Sequence, residues 1–466
     1  MKKEELRENF TMNKTTIMTE GTIWKKLLFF AIPLILGNLF QQLYNTVDSI
    51  IVGNFIGSEA LAAVGAGGSV VNVLIGFCVG ASAGAGVVVS QFYGAQDREE
   101  LKKAVHTTVA LSIAAGIVMT IIGVLATPLI LRAIQTPSEV FGQAVIYLQV
   151  YFGGIVFSVI YNMAAGILNA VGNSKRSLIY LLIAAFSNII LDLIFVVILK
   201  MGIIGAALAT DISQLLSSVF ILLFLMRTDE MYKVRIREIR FYDHLLGRIL
   251  RVGLPTGVQS VVVSLSNLIV QSAVNSFGAV VMAGFAAYLK IDGFNLLPVL
   301  SIGTAAMTFS GQNIGAGRLD RVKKCMITSA VMGIGYTLIS GALLMVFAPQ
   351  VIGVFTNNAE VVQCGAYIMK YFCPFYWMLA IMQVLAGTIR GAGKTMEVMS
   401  VFLLSLCLFR MIWLWGSMSF KHSLALLMMA YPTSWLVGAA LILLYAWKGK
   451  WLPMARQTVQ YPEGSR

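Results

Sequence analysis

Long apolar runs constrain this chain more than any other feature. Runs of about twenty apolar residues recur along its whole length, for example at 178–199 and 203–226. The hydrocarbon core of a bilayer is ~30 Å thick, so one membrane-spanning helix needs about 20 such residues. Apolar residues make up 58% of the chain and charged residues 12%, whereas roughly a quarter of the residues of a globular protein are charged. The sequence therefore predicts an all-α integral membrane protein.

The apolar runs predict about twelve helices, six in each half of the chain. In the first half the predicted helices are 23–54, 59–92, 101–133, 140–170, 177–199 and 203–227. In the second half they are 246–277, 280–313, 320–347, 359–389, 394–417 and 423–447.

The two halves are copies of one another. The motif Gln-x-x-Gly-Ala begins at Gln91 and again at Gln312, 221 positions later, and a pair of lysines follows each copy at the same offset. Pro33 in the first helix matches Pro255 in the seventh. Six helices per half is an even number, so both halves enter the membrane from the same side. The copies should then be related by an axis along the membrane normal, as in many transporters.

Charge and repeat together predict five segments. They are an N-terminal segment 1–22, an N-lobe 23–227, a linker 228–245, a C-lobe 246–447 and a C-terminal tail 448–466. Lysine and arginine concentrate in alternate loops, and the opposite side holds only Arg132, Lys200 and Lys421. This is the positive-inside pattern with both termini and the linker cytoplasmic. It accounts for the net charge of +13 without a nucleic-acid partner.

Four carboxyl groups are the strongest candidates for function, because they lie well inside apolar spans. Burying a central Asp in a membrane helix costs about 2.5–3.5 kcal/mol, so such residues are functional candidates by default. A structural role, as partner to a hydroxyl, amide or cation, is the alternative for each. The four are Asp48, Asp192, Asp211 and Asp292.

The first half groups oxygen-bearing side chains on three helices. Asn188 lies four residues before Asp192, so both side chains share one face of the fifth helix. Asp48 on the first helix and Thr210 on the sixth lie at comparable depth. Oxygen ligands of this kind suit Na⁺, and two adjacent carboxyls could also hold a proton. The residues alone leave both coupling ions open.

The second half lacks this cluster. The positions that correspond to Asp48, Asn188, Asp192 and Asp211 are occupied by Val270, Phe409, Trp413 and Pro432. The spans of the second half contain Asp292 together with Lys290, Lys370 and Arg410. This set is either a substrate site or a structural ion-pair network in which Asp292 pairs with Arg410 or Lys370.

The chain resembles the multidrug and toxic compound extrusion (MATE) transporters of the multidrug/oligosaccharidyl-lipid/polysaccharide (MOP) exporter superfamily. The resemblance spans nearly the whole chain and rests on several segments taken together. These are Pro33 with 48–53, and the segments 61–63, 91–95, 166–172, 188–192, 205–210, 253–255 and 311–316.

This resemblance implies a cation-coupled antiporter whose two six-helix lobes form a V and open alternately to each side. In DinF-like and archaeal members an N-lobe site uses positions that match Asp48, Asn188, Asp192 and Thr210, the site at which H⁺ or Na⁺ is expected here. Gln41 and Tyr147 match pocket positions, and the first helix is proposed to bend near Pro33. Asp211 departs from the family pattern and is a candidate third titratable group. The NorM-like branch carries acids in helices seven and ten, whereas in this chain helix seven has no acid and helix ten has only Glu360 at its outer end.

The resemblance further implies that the chain exports drugs, dyes or toxins, expected to be organic cations, and is not an enzyme. We expect a multi-pass protein of the bacterial inner (plasma) membrane, a monomer, without a cofactor beyond the coupling ion. Two alternatives stay open: a flippase for lipid-linked oligosaccharides or peptidoglycan precursors from the same superfamily, and an exporter of zwitterionic or anionic metabolites. Twelve helices and an acidic first lobe argue against the flippase.

Overall fold

The computed structural model describes residues 17–449 and 451–452, which are almost entirely helical. Twelve of the described helices are long and apolar enough to cross a membrane. The first six are α1 (Ile23–Phe55), α2 (Ser58–Ala95), α3 (Arg98–Ala133), α4 (Ser138–Ala170), α5 (Ser174–Ile198) and α6 (Ile203–Arg227). The other six are α7 (Asp243–Asn275), α8 (Ala279–Gly315), α9 (Leu319–Val346), α10 (Ala359–Gly391), α11 (Thr395–Phe420) and α12 (Leu424–Trp447). The predicted all-α membrane fold with about twelve spans is confirmed.

Three of the long helices change their winding part-way. α5 continues from Asp192 into a π-helical segment, Leu193–Ile198, and α11 contains another, Leu403–Phe409, directly before Arg410. π-helical turns inside α-helices are frequent at functional sites. α10 is interrupted by a 3₁₀ turn at Cys373–Phe375, where the central proline lacks the N–H that a continuous helix needs.

The described residues form two compact units. The first consists of Ile17 and 33–257, and the second of 18–32, 258–449 and 451–452. The first ten residues of α1 thus belong to the second unit, and the first fifteen of α7 to the first. The predicted lobes 23–227 and 246–447 were drawn from the sequence repeat, and their bounds differ from those of the two units. They remain a prediction. Of the predicted terminal segments, residues 1–16, 450 and 453–466 lie outside the described residues.

Glycines set the spacing of helices inside each unit. In the first unit, a Cβ added to Gly84 on α2 would lie 2.2 Å from Cα of Gly253 on α7, and one added to Gly80 would lie 2.5 Å from N of Gly257. Both helices therefore present glycines four residues apart, the arrangement that lets membrane helices approach backbone to backbone. In the second unit, a Cβ on Gly387 would lie 2.1 Å from the carbonyl oxygen of Gly303.

Candidate functional site

α5 and α6 bring an amide and a hydroxyl together in the first unit. Nδ2 of Asn188 donates to Oγ1 of Thr210 at 3.4 Å, and Thr210 donates to the carbonyl of Ala206 one turn earlier, at 3.2 Å. Asn188 is only 1% exposed. The carbonyl oxygen of the same amide, Oδ1, has no hydrogen-bond partner among the described residues. The amide thus offers an acceptor into the interior of the unit.

A pair of carboxyl groups lies beside this amide. Asp192 is four residues beyond Asn188 on α5 and is fully buried, and within the described part of the chain neither of its oxygens has a hydrogen-bond partner. Asp48 on α1 approaches it closely enough for the two carboxyl groups to interact, and Oδ1 of Asp48 is also unpartnered. An isolated charge buried in this way costs several kcal/mol. The pair therefore needs a positive group or a proton.

Tyrosines line the same region. Tyr147 on α4 lies within electrostatic reach of Asp48, Asp192 and Asp211, and its ring stacks on that of Tyr151 at 6.3 Å between centroids. Gln41 on α1 interacts with the hydroxyl of Tyr44, which in turn lies near Asp48. The hydroxyl groups of Tyr44 and Tyr147 thus give the carboxyl pair polar surroundings.

Asp211 is set apart from the pair. Its carboxyl group occupies the space that a side chain at Gly154 on α4 would fill, because a Cβ there would lie 2.2 Å from Cγ of Asp211. Tyr147 is near both this carboxyl and the Asp48–Asp192 pair. No group of three or more His, Cys, Asp or Glu side chains that could hold a metal ion occurs among the described residues. Asp211 therefore does not complete a three-carboxylate metal centre.

The chemistry of this site fits one monovalent cation or one proton. Four buried acceptor oxygens, one on Asp48, one on Asn188 and two on Asp192, receive no hydrogen bond from residues 17–449 or 451–452. Two carboxylates in contact repel each other, so one binds a proton or both share a cation. Hard oxygen ligands suit Na⁺ rather than soft metals. If Na⁺ binds, these oxygens and the hydroxyl of Thr210 would hold it.

Asp292 belongs to the second unit, and its hydrogen-bond partners are tyrosines rather than Arg410 or Lys370. The hydroxyls of Tyr288 and Tyr376 donate to its Oδ1 at 3.0 Å and 2.7 Å, and the two hydroxyls lie 3.0 Å from each other. Within 17–449 and 451–452, no salt bridge joins Asp292 to Arg410 or Lys370. The ion-pair alternative is therefore wrong, because neutral hydroxyls supply the hydrogen bonds.

Arg410 is buried and satisfied by neutral groups. Its Nε and Nη2 donate to Oγ of Ser434 at 3.2 Å and 3.0 Å, and Nη1 donates to Oδ1 of Asn267 at 3.0 Å. The guanidinium also lies over the ring of Tyr431, 4.4 Å from its centroid. Lys290 and Lys370 are exposed. The three cations of the second half thus do not form one basic cluster.

Sequence reasoning missed several of these residues. Tyr44 precedes Asp48 by four positions, and Tyr288 precedes Asp292 by four. The i, i+4 rule that joined Asn188 to Asp192 could have found both tyrosines. No signal in the sequence points to Tyr376, which meets Asp292 from another helix.

Comparison with known proteins identifies the family. The MatE family model matches residues 33–194 and 255–415, one match in each half. The chain belongs to the MatE family. Members of this family are transporters that need no cofactor, so the chain is a transporter and not an enzyme. The predicted resemblance to MATE transporters is confirmed.

Several curated relatives match most of the chain. The probable multidrug resistance protein YpnP of Bacillus subtilis is 29% identical over 392 residues, which cover 84% of this chain and 88% of the relative. The probable multidrug resistance protein NorM of Thermotoga maritima is 24% identical, covering 82% and 83%. The multidrug export protein MepA of Staphylococcus aureus is 22% identical, covering 80% and 83%.

Solved structures show the same fold. A MOP superfamily transporter from Pyrococcus furiosus, described as having a binding pocket of reverse polarity that suggests a different function, superposes with a TM-score of 0.87 at 24% identity. A MATE protein in complex with MaL6 superposes with a TM-score of 0.88 at 23% identity. Each match covers 94% of this chain and 98% of the other. At this identity the likeness establishes the fold alone.

Proposed function

We propose that this transporter exports small organic compounds from bacterial cells in exchange for H⁺ or Na⁺. The coupling ion binds at Asp48, Asn188, Asp192 and Thr210 of the first unit. One observation carries the proposal: a buried group of acceptor oxygens, centred on the fully buried Asp192, that find no donor in the part of the chain that the structure describes. The names of relatives that cover most of the chain, multidrug resistance and multidrug export proteins, support the substrate class.

Charge gives a reason for exchange at this site. With a proton or Na⁺ bound, the Asp48–Asp192 pair carries at most one net negative charge, and without it the two carboxylates attract another cation. An organic cation and the coupling ion then compete for the same negative charge. Two ligands that weaken each other's binding are negatively coupled, and this coupling is reciprocal. Such competition is the thermodynamic basis of antiport.

The same helix that carries Asp48 contains a point where it can bend. Pro33 in α1 has no backbone N–H and cannot complete the helical hydrogen-bond ladder, and sharp kinks occur at proline. We propose that α1 bends near Pro33 when the coupling ion binds. We also propose a monomer in the inner membrane; the distribution of lysine and arginine supports a cytoplasmic position for both termini.

Transport by purified protein in liposomes tests this proposal. Efflux of a cationic dye should accelerate when an inward pH or Na⁺ gradient is imposed, and the gradient that drives it identifies the coupling ion. Anionic and zwitterionic compounds of similar size test the substrate class. Asp229→Asn is the control, since its exposed carboxylate forms an i, i+4 pair with Lys233 far along the chain from the proposed ion site and should not affect transport. If neither gradient changes dye flux, ion coupling is refuted.

The second unit should influence which compounds are exported. We expect Asp292→Asn to change the ratio of export rates between cationic and zwitterionic compounds severalfold while the response to the ion gradient persists, because Asp292 lies outside the proposed ion site. Tyr376→Phe removes one hydroxyl donor at 2.7 Å but keeps the charge, so it should change this ratio less. A well-folded Asp292→Asn protein that no longer responds to the gradient would contradict this assignment.

A further inference from the structure

The second copy of the duplicated Gln-x-x-Gly-Ala segment holds the chain just before α1. Oε1 of Gln312 accepts a hydrogen bond from the backbone N–H of Met18 at 3.0 Å. Nδ2 of Asn313 donates to the carbonyl of the same residue at 3.2 Å. All three residues are fully buried. Two side-chain amides at the end of α8 therefore bind both polar groups of one backbone residue.

Two arginines extend this contact. Nε of Arg321 donates to Oδ1 of Asn313 at 3.1 Å, and its Nη2 donates to the carbonyls of Met18 and Gly21 at 3.3 Å and 3.0 Å. Arg318 donates to the carbonyl of Thr19 at 2.6 Å. The rigid planar fork of a guanidinium makes several bonds at fixed angles, which a lysine cannot reproduce. Residues 18–21, which lead into α1, are thus fixed to α8 and α9.

The first copy of the segment, together with the start of α3 that follows it, contacts the chain at the start of α7. Gln91 accepts a hydrogen bond from Arg248 in the first turns of α7. Two residues just before Arg248 contact α3. The imidazole of His244 lies 2.9 Å from the carboxylate of Glu100, and the backbone N–H of Tyr242 donates to the hydroxyl of Thr107 at 3.4 Å.

The linker before α7 also forms an ion pair with α3, the helix that carries Glu100 and Thr107. Lys102 on α3 pairs with Glu238 of the linker at 2.7 Å, and this hydrogen bond lowers the pKa of the Glu238 carboxyl. Because both side chains are partly exposed to solvent, the pair itself adds little stability. Its value is positional: with the contacts at Gln91, Glu100 and Thr107, it ties the linker to the first repeat.

We propose that the two Gln-x-x-Gly-Ala copies are reciprocal anchors, each fixing the start of the other half's first helix. Arg321 and Asn313 are then positioning residues for α1, which carries Asp48 at its far end. With residues 18–21 held by the second unit and Asp48 beside Asp192 in the first, α1 is fixed at both ends of the stretch that contains Pro33. An ion bound at Asp48 can bend α1 at Pro33 productively only while its start is held. The proposal therefore rests on the proposed function.

Arg321→Gln tests this anchor, with Lys323→Gln as a matched control that removes one positive charge from the exposed side of the same helix. Loss of hydrogen bonds to a charged group weakens a contact about tenfold or more. Hydrogen–deuterium exchange in residues 17–27 should therefore rise about tenfold in Arg321→Gln and stay unchanged in Lys323→Gln. The maximal export rate should fall by a similar factor at unchanged KM and unchanged dye binding. Arg321→Lys should be intermediate in both.

Each outcome decides the proposal. Unchanged exchange in a folded Arg321→Gln protein would show that these contacts do not hold the segment. Raised exchange with a normal export rate would show that the anchor is not needed for transport. If Arg321→Gln does not fold, Arg321→Lys supplies the same comparison. Should the wild-type protein show no ion-coupled export at all, the proposed function fails, and the exchange measurement still decides whether the anchor exists.

Discussion

Replacing Asp192 with asparagine is expected to reduce gradient-driven export to the level of protein-free liposomes. Asp192 is the most buried member of the candidate ion site, and no described residue donates a hydrogen bond to either of its oxygens. Asparagine keeps the size of the side chain but can neither bind a proton near neutral pH nor contribute charge to a Na⁺ site. The NH₂ group of the new asparagine would also donate a hydrogen bond to the carboxylate of Asp48, whether or not an ion is present. The unit would then stay in the ion-bound arrangement.

The measurement is dye efflux from liposomes under imposed pH and Na⁺ gradients, with expression and thermal unfolding checked in parallel. Asp48→Asn should show the same loss, since it removes the other carboxyl of the pair. Thr210→Val, which removes one neutral ligand, should slow export less than either. Full accumulation against a gradient by folded Asp192→Asn protein would rule out this residue as the coupling group. Asp229→Asn controls for loss of a carboxylate elsewhere.

Much of this architecture follows from the sequence because membrane helices obey simple rules. Predicted and observed helices agree within a few residues, for example 203–227 against Ile203–Arg227. Each apolar run must satisfy its own backbone hydrogen bonds in lipid, so composition fixes where helices lie. Asn188 and Asp192 could be placed on one face by their spacing alone. Their contacts with residues of α1 and α6 follow from packing, which a single sequence does not encode locally.

The features that the sequence did not reveal arise between distant segments. Pairing with a cation was one of the two alternatives for Asp292, yet the hydroxyls of Tyr288 and Tyr376 donate hydrogen bonds to it instead. Nothing at position 376 distinguishes that tyrosine from its aromatic neighbours on α10. The division of the described residues at Pro33 and Gly257 was also unexpected, because the repeat suggests that each half is one body. Hydrogen bonds from each repeat to the start of the other half's first helix produce this exchange of segments.

Replacing Gly84 with alanine is expected to destabilise the folded protein, because α2 and α7 approach each other closely at this residue. The added Cβ would lie 2.2 Å from Cα and 2.3 Å from N of Gly253, far inside van der Waals contact. Backbone atoms cannot rotate away as a side chain can, so the two helices must separate. Overpacking a core typically costs about 1–3 kcal/mol, and a backbone clash lies at the upper end of this range. We expect a lower thermal unfolding midpoint in detergent and little export.

Gly65→Ala on the same helix is the matched control. A Cβ at Gly65 meets no atom of the described residues within 4 Å, and alanine is more favourable than glycine in a helix by about 0.5–1 kcal/mol. The unfolding midpoint of Gly65→Ala should therefore equal or exceed that of the wild type. Glycine-to-alanine substitutions at two positions of α2 are thus expected to shift the unfolding midpoint in opposite directions. This difference separates the effect of the clash from that of helix propensity. Equal midpoints for Gly84→Ala and Gly65→Ala would show that α2 and α7 do not approach backbone to backbone.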